Sequence, residues 1–213
     1  MLRKLAAVSR QRLLSLTLIL AGVALLAYVA TQYGTMWLEQ RRLAQAFEEQ
    51  QRQPPQAQTV ASQPSASPVS DYLTRLTIPK INLQAMVVEG TSRKQLLVGL
   101  GHIKQTAAPG EVGNSVITAH RDTFFRHIHE LDKGDELVVE RGGQIYRYEV
   151  TGKKIVEPQD LSVLRQGNDK RLTLITCYPT YYIGPAPERL VVFSKLKEDQ
   201  AAKTALAGSG GGN

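Results

Sequence analysis

Leu172-Thr-Leu-Ile-Thr-Cys177 reads as a buried strand that ends on the chain's single cysteine. Twelve residues on, Arg189 opens a second apolar run, Leu190-Val-Val-Phe193. Upstream, Ser115-Val-Ile-Thr-Ala-His120 has the same form, an apolar strand ending on a histidine. Strands that finish on reactive side chains can present them together at one rim of a sheet. A cysteine, a histidine and an arginine so gathered make an acyl-transfer site: nucleophile, proton carrier and oxyanion donor.

Around these strands the segment from Asp71 to Lys197 reads as one domain. Tyr72–Ile78 alternates as an antiparallel strand does, and Pro79 closes it. Gln84–Glu89 is a second strand, and Ser92 caps a short helix through Leu97. Residues 99–114 read as a Gly/Pro-punctuated loop, with Pro109-Gly110 a turn. Asp122 or Thr123 caps a short helix over Phe124–Leu131. Glu136–Arg141 and Gln144–Thr151 flank Gly142-Gly143, a two-residue hairpin signal, and Lys153–Val156 extends the second of them. Asp160 caps a turn through Leu164. Many short strands with brief helices between them predict an all-β fold, a closed or nearly closed barrel.

The domain follows a different kind of chain. Leu13 to Leu38 carries no charge, and its apolar centre, Leu13–Ala30, is 18 residues long. That is about 27 Å of helix, enough to cross a bilayer. Arg3, Lys4, Arg10 and Arg12 precede it; Tyr28 near its end and Tyr33 and Trp37 beyond it form an interfacial belt. The reading is a basic cytoplasmic segment (1–12), a transmembrane anchor (13–36) and a domain outside the cytoplasm. A cleaved signal peptide is the rival, but Ala27-Tyr-Val-Ala30 is a poor cleavage site. Residues 37–70 read as a short polar helix and then a Pro/Gln/Ser-rich linker, a spacer that holds the domain off the bilayer. The tail, 198–213, ends in Gly-Ser-Gly-Gly-Gly-Asn and is expected to be disordered.

Charge narrows the partners. The net charge is +7; residues 1–69 hold 7 Lys/Arg against 3 Asp/Glu (+4), which leaves 19 against 16 (+3) for residues 70–213. The excess is concentrated near the N-terminus, with no nucleic-acid motif beside it, so nucleic acid is not an expected partner. There is no phosphate loop and no dinucleotide fingerprint: Gly99-Leu-Gly101 lacks its third glycine.

Cys177 reads as a reactive thiol or as a small buried apolar residue. Among the histidines, His120 is the best partner because it ends a core strand. His102 sits in the loop, where it could line a cleft. His127 and His129, two apart on a helix, would face solvent on different sides. Arg189 follows Pro185-Ala-Pro187-Glu188, which fixes where it emerges. It is an oxyanion donor or, more blandly, a partner of Glu188. Lone cysteine and scattered histidines offer no zinc ligand pair, so no metal is assigned. The gap from Cys177 to Arg189 excludes a Cys-x5-Arg phosphatase.

Thr77-Ile-Pro-Lys-Ile81, Thr118-Ala-His-Arg121, Leu174-Ile-Thr-Cys177 and Glu188-Arg-Leu-Val-Val192 together resemble the sortases, membrane-tethered cysteine transpeptidases. The stretch from Cys177-Tyr-Pro to Arg189 is most similar to class D. The resemblance implies a closed eight-stranded barrel over 71–197. It implies attack by Cys177 on the Thr carbonyl of a Leu-Pro-x-Thr-x-like sorting signal on a surface protein, giving a thioester that an amine acceptor resolves. His120 would be acid and base, Arg189 would hold the oxyanion, and Thr176, with Ala119 and Tyr178 beside it, would touch substrate. Some sortases bind calcium through clustered acids. Glu111, Asp160 and Asp169 form no acidic run here, and no cofactor is carried over. A thiol hydrolase with the same site and a non-catalytic anchored binding module remain the alternatives.

Overall fold

The structure is a computed structural model that describes residues 2–52, 73–181 and 184–197, with side chains from Arg12 onward. The expected linker (54–70), the start of the first strand at Tyr72 and the tail (198–213) lie outside the described residues. The chain order is α1 (Leu2–Arg52), β1 (Thr74–Ile78), β2 (Leu83–Glu89), α2 (Arg93–Val98), β3 (Leu100–His102), β4 (Gly113–Thr118), β5 (Glu136–Arg141), β6 (Gln144–Val156), β7 (Lys170–Tyr178) and β8 (Glu188–Leu196). The strands close into a barrel in the order β1-β2-β3-β4-β7-β8-β6-β5. The all-β closed barrel expected from the sequence is the fold found.

Two parallel contacts decide where the rims lie. β4 runs parallel to β7, and β2 parallel to β3; the other neighbours are antiparallel. Parallel strands finish at the same rim, and an antiparallel neighbour begins there. The ends of β4 and β7 and the start of β8 therefore share one rim.

Alternation along the strands fills the interior. Ile117 and Ala119, Leu172 and Leu174, and Leu190 and Val192 join Leu76, Tyr148 and Phe125 in one buried core. Val156, Val163 and Val191 form a second, smaller cluster with Ile175, Leu164 and Phe193 at its edge. Its strand members have the opposite parity to the core residues, so it lies on the outer face of β7 and β8, under the 3-10 turn Leu161–Leu164.

Three details depart from expectation. The supposed loop over 99–114 contains β3, and β4 begins at Gly113. The helix expected over Phe124–Leu131 is a run of turns with a 3-10 segment at Ile128–Glu130. As expected, strand β6 continues past Gly152 to Val156, and a register shift falls between Val150 and Gly152. Lastly, α1 does not leave the barrel alone after its apolar part. Gln40 donates to the Val98 carbonyl and accepts from the Met86 amide at 2.9 Å. Phe47 is 1% exposed, with the Arg75 guanidinium 4.3 Å over its ring. The polar helix is thus a docked part of the barrel. Gly99 lets Gln40 approach, since a Cβ there would stand 2.9 Å from Gln40 Nε2 and 2.8 Å from the Met86 carbonyl.

Candidate active site

Cys177 and Arg189 are directly paired across β7 and β8. Opposed residues of an antiparallel pair carry their side chains on one face. By parity that is the outer face, shared with Ile175 and Val191. On the other side of β7, Thr118 pairs with Ile175 in the parallel register. Continued by two residues, that register sets His120 level with Cys177. His120 also has outer parity, because Ile117 and Ala119 point into the core. All three side chains are half-buried.

Reciprocal hydrogen bonds hold this register where the ladder ends. Thr118 Oγ1 donates to the Ile175 carbonyl at 3.0 Å, and Thr176 Oγ1 donates to the Ala119 carbonyl at 2.9 Å. The Ala119 amide donates to Ile175 O at 3.3 Å. Thr176 is 1% exposed and Ala119 4%. So buried, the two brace the rim at the point where substrate contact is expected. Tyr178 is likewise packed against the core.

Arg189 makes no pair with the Glu188 carboxylate. Its Nη1 donates to the backbone carbonyls of Glu188, at 2.8 Å, and Ala186, at 3.4 Å. Arg121, next to His120, reaches across to the β7–β8 loop. Its guanidinium donates to Pro179 O at 3.0 Å and Gly184 O at 2.6 Å. Among the described residues no hydrogen bond joins Cys177, His120 and Arg189 to one another.

Beside Arg189 lies a cleft of about 170 Å³, lined by Ile103, Val156, Leu161, Val163, Ile175 and Val191. Leu161 on its wall is 71% exposed. Asn114 secures the loop that forms this wall: its Nδ2 donates to Val163 O at 2.9 Å, and its Oδ1 accepts from Thr173 Oγ1 at 2.7 Å. Asn114 gave no sequence signal, being a polar residue at a strand start.

The other candidates are placed elsewhere. His102 is not in a cleft but fully buried in β3, with Nδ1 at 3.0 Å from a Glu89 carboxylate oxygen and Nε2 at 3.0 Å from Ala107 O. His127 and His129 are exposed, yet their ring centroids are 6.4 Å apart because the segment is not α-helical. Glu111 pairs with Arg141, Asp160 caps Ser162, and Asp169 pairs with Arg171 and Lys195. The amide and hydroxyl of Ser162 hold Asp160 below the usual carboxylate range, and Lys195 does the same for Asp169. Among the described residues no three metal-ligating side chains cluster.

The closed barrel thus gathers a thiol, an imidazole and a guanidinium on the outer face of one rim, next to an apolar cleft. Residues 76–197, more than half of the chain, match the sortase domain, and the chain belongs to the sortase family. Sortase D of Bacillus subtilis is 42% identical over 121 residues, 56% of this chain and 61% of that protein. Sortase SrtE1 of Streptomyces coelicolor is 28% identical over 214 residues, 92% of this chain and 59% of that one. The chain thus spans about six-tenths of the length of these curated relatives. Among solved structures, the sortase D5 transpeptidase of Clostridium perfringens superposes with a TM-score of 0.63 at 27% identity, over 75% of this chain and 99% of that one. Sortase A of Corynebacterium diphtheriae gives 0.56 at 30% identity, over 60% and 61%.

Proposed function

We propose that the chain is a membrane-anchored cysteine transpeptidase that cleaves a Leu-Pro-x-Thr-x-like sorting signal after its threonine and passes the acyl group to an amine. The observation that carries this reading is the shared outer face of Cys177, His120 and Arg189 at one rim of a sortase-family barrel. Cys177 Sγ attacks the Thr carbonyl carbon as its proton passes to His120. The carbonyl becomes an oxyanion, and Arg189 turns from its own carbonyls to donate to it. His120 gives its proton to the leaving amine as the C–N bond breaks, and the acyl group stays as a thioester. The incoming amine loses a proton to His120, attacks the thioester and releases Cys177. The apolar cleft beside Arg189 suits the Leu-Pro side of the signal.

α1 supports the anchor, being long and apolar enough to cross a bilayer. The basic residues before the span support an N-terminus inside and a barrel outside. The partners are surface proteins that carry the signal, an acceptor amine on the envelope or on another protein, and the membrane; no cofactor enters the steps.

The test is the full chain with Leu-Pro-x-Thr-x peptides and hydroxylamine, Cys177→Ala alongside. Hydroxamate from the unaltered chain alone is the expected result. Free acid without hydroxamate would favour hydrolysis, and an inert Cys177 would favour a binding module.

A further inference from the structure

The docking of α1 fixes how high the barrel stands over a bilayer. Tyr33 and Met36 face the barrel across a shallow cleft whose far wall is Ile81–Leu83 and Phe124. Trp37, Gln40, Ala44 and Glu48 follow along the same helix side, against Gln84–Met86 and Arg75. Gln50 Oε1 accepts from the Leu73 amide at 3.4 Å. Along the helix, Tyr33 to Phe47 spans about 20 Å; along β1 and the following 3-10 turn, Arg75 to Ile81 spans about 15–20 Å. The two run side by side, one rising as the other descends. Tyr33 is three residues beyond Ala30, where the apolar centre ends, or about 5 Å. The headgroup layer is of that thickness, on the order of 5–7 Å a side. On the anchored reading, the barrel surface at the level of Tyr33 then falls at headgroup depth.

That surface is a cleft of about 720 Å³ between Tyr33, Arg121, Arg126, His127, His129 and Tyr181. Two arginines and two histidines face one carboxylate there, Asp122. His127 is held by Glu130 at 2.7 Å, and His129 donates to the Arg126 carbonyl at 3.2 Å. Tyr181 is 83% exposed and Tyr33 61%, as aromatic side chains at a bilayer interface are.

Resting on the anchored reading above, we propose that this cleft is a seat for lipid phosphate, which holds the catalytic rim on the bilayer surface. Arg121 adjoins His120, and Tyr181 lies four residues after Cys177. A seated headgroup so brings the rim to the plane from which a membrane-held substrate or acceptor emerges. The supposed spacer then does not lift the domain away.

The test uses the full chain with Cys177→Ser in phosphatidylglycerol nanodiscs doped with headgroup-nitroxide lipid. A fluorophore is attached through Tyr181→Cys or, as the far control, Gln144→Cys. Gln144 pairs with Arg141, which pairs with Thr74, next to the Leu73 amide that Gln50 holds. The expected result is quenching at position 181 about threefold or more above that at 144. Most of the difference should vanish with Arg126→Glu and in discs of an uncharged, phosphate-free galactolipid. Equal quenching at both positions overturns the proposal, as does a signal at 181 indifferent to both changes. Loss of the difference in about 10 mM inorganic phosphate at constant ionic strength assigns the cleft to a soluble anion and overturns it too. Disc retention and hydroxamate formation by the unaltered chain, Cys177 intact, are read alongside. An active, disc-bound enzyme with equal quenching sinks this proposal alone; a chain that does not enter the discs sinks the anchored reading with it.

Discussion

Cys177 and Arg189 face each other across the β7–β8 ladder, while the Arg189 guanidinium bends back onto the carbonyls of Glu188 and Ala186. In this state its Nη1 is turned to the backbone. An oxyanion offers a charged acceptor in place of those carbonyls, adding an ion-pair attraction that a neutral carbonyl lacks. Arg189→Ala is expected to lower kcat/KM for hydroxamate formation by about 10²–10³-fold, with unfolding unchanged within about 0.5 kcal/mol. Arg189→Lys should recover only part of the loss, since a lysine lacks the planar fork. A rate equal to that of the unaltered chain would remove Arg189 from the mechanism.

The Thr176 hydroxyl spans the seam between β4 and β7, at the last point before the two reactive side chains. Thr176→Val keeps the shape but leaves the Ala119 carbonyl without that donor, at a cost of about 1–3 kcal/mol. Thr176→Ser should retain most of the stability. If the seam sets the register of His120 against Cys177, the valine variant also loses kcat with little change in KM. A rise in KM alone, from substrate titration of both variants, would mark Thr176 as a substrate contact instead.

The strands that carry the site were legible because each is long enough to alternate and ends on an unusual residue. Leu172–Cys177 and Ser115–His120 are of this kind. β3 was not legible: three residues with a central glycine show no period, and so His102 was read into a loop although the core encloses it. Phe124–Leu131 has helical composition, but Arg121 and the Phe125 amide, bonded to His120 O at 3.1 Å, hold its start in a turn. Gln40 gave no signal either. A glutamine in a polar helix looks solvated until a strand offers it an amide.

Arg121 links the residue after His120 to both arms of the β7–β8 loop through Pro179 and Gly184. That makes it a positioning residue, tying the histidine to the strand ends that bear Cys177 and Arg189. Arg121→Gln cannot span both carbonyls. It is expected to lower kcat by on the order of 10–100-fold while KM moves little. Arg121→Lys, able to reach one carbonyl, should fall between. A KM effect with kcat intact would mean that Arg121 binds substrate instead.

Tyr148 is fully buried, and its hydroxyl accepts from the Gly110 amide at 2.8 Å. Burial pushes its pKa up from 10.0 to about 12, against the opposing pull of that amide. In the unfolded chain the phenol ionises near its ordinary value. Between about pH 10 and 12 the unfolded state therefore binds fewer protons than the folded one, and stability falls as pH rises. The loss should reach roughly 2–3 kcal/mol. Tyr148→Phe leaves the Gly110 amide unsatisfied and is less stable at pH 7 by about 1–3 kcal/mol, yet it lacks this alkaline slope. Urea denaturation at pH 8, 10 and 11 measures both quantities. Parallel slopes for the two proteins would mean that the Tyr148 phenol does not control the alkaline limit of the barrel.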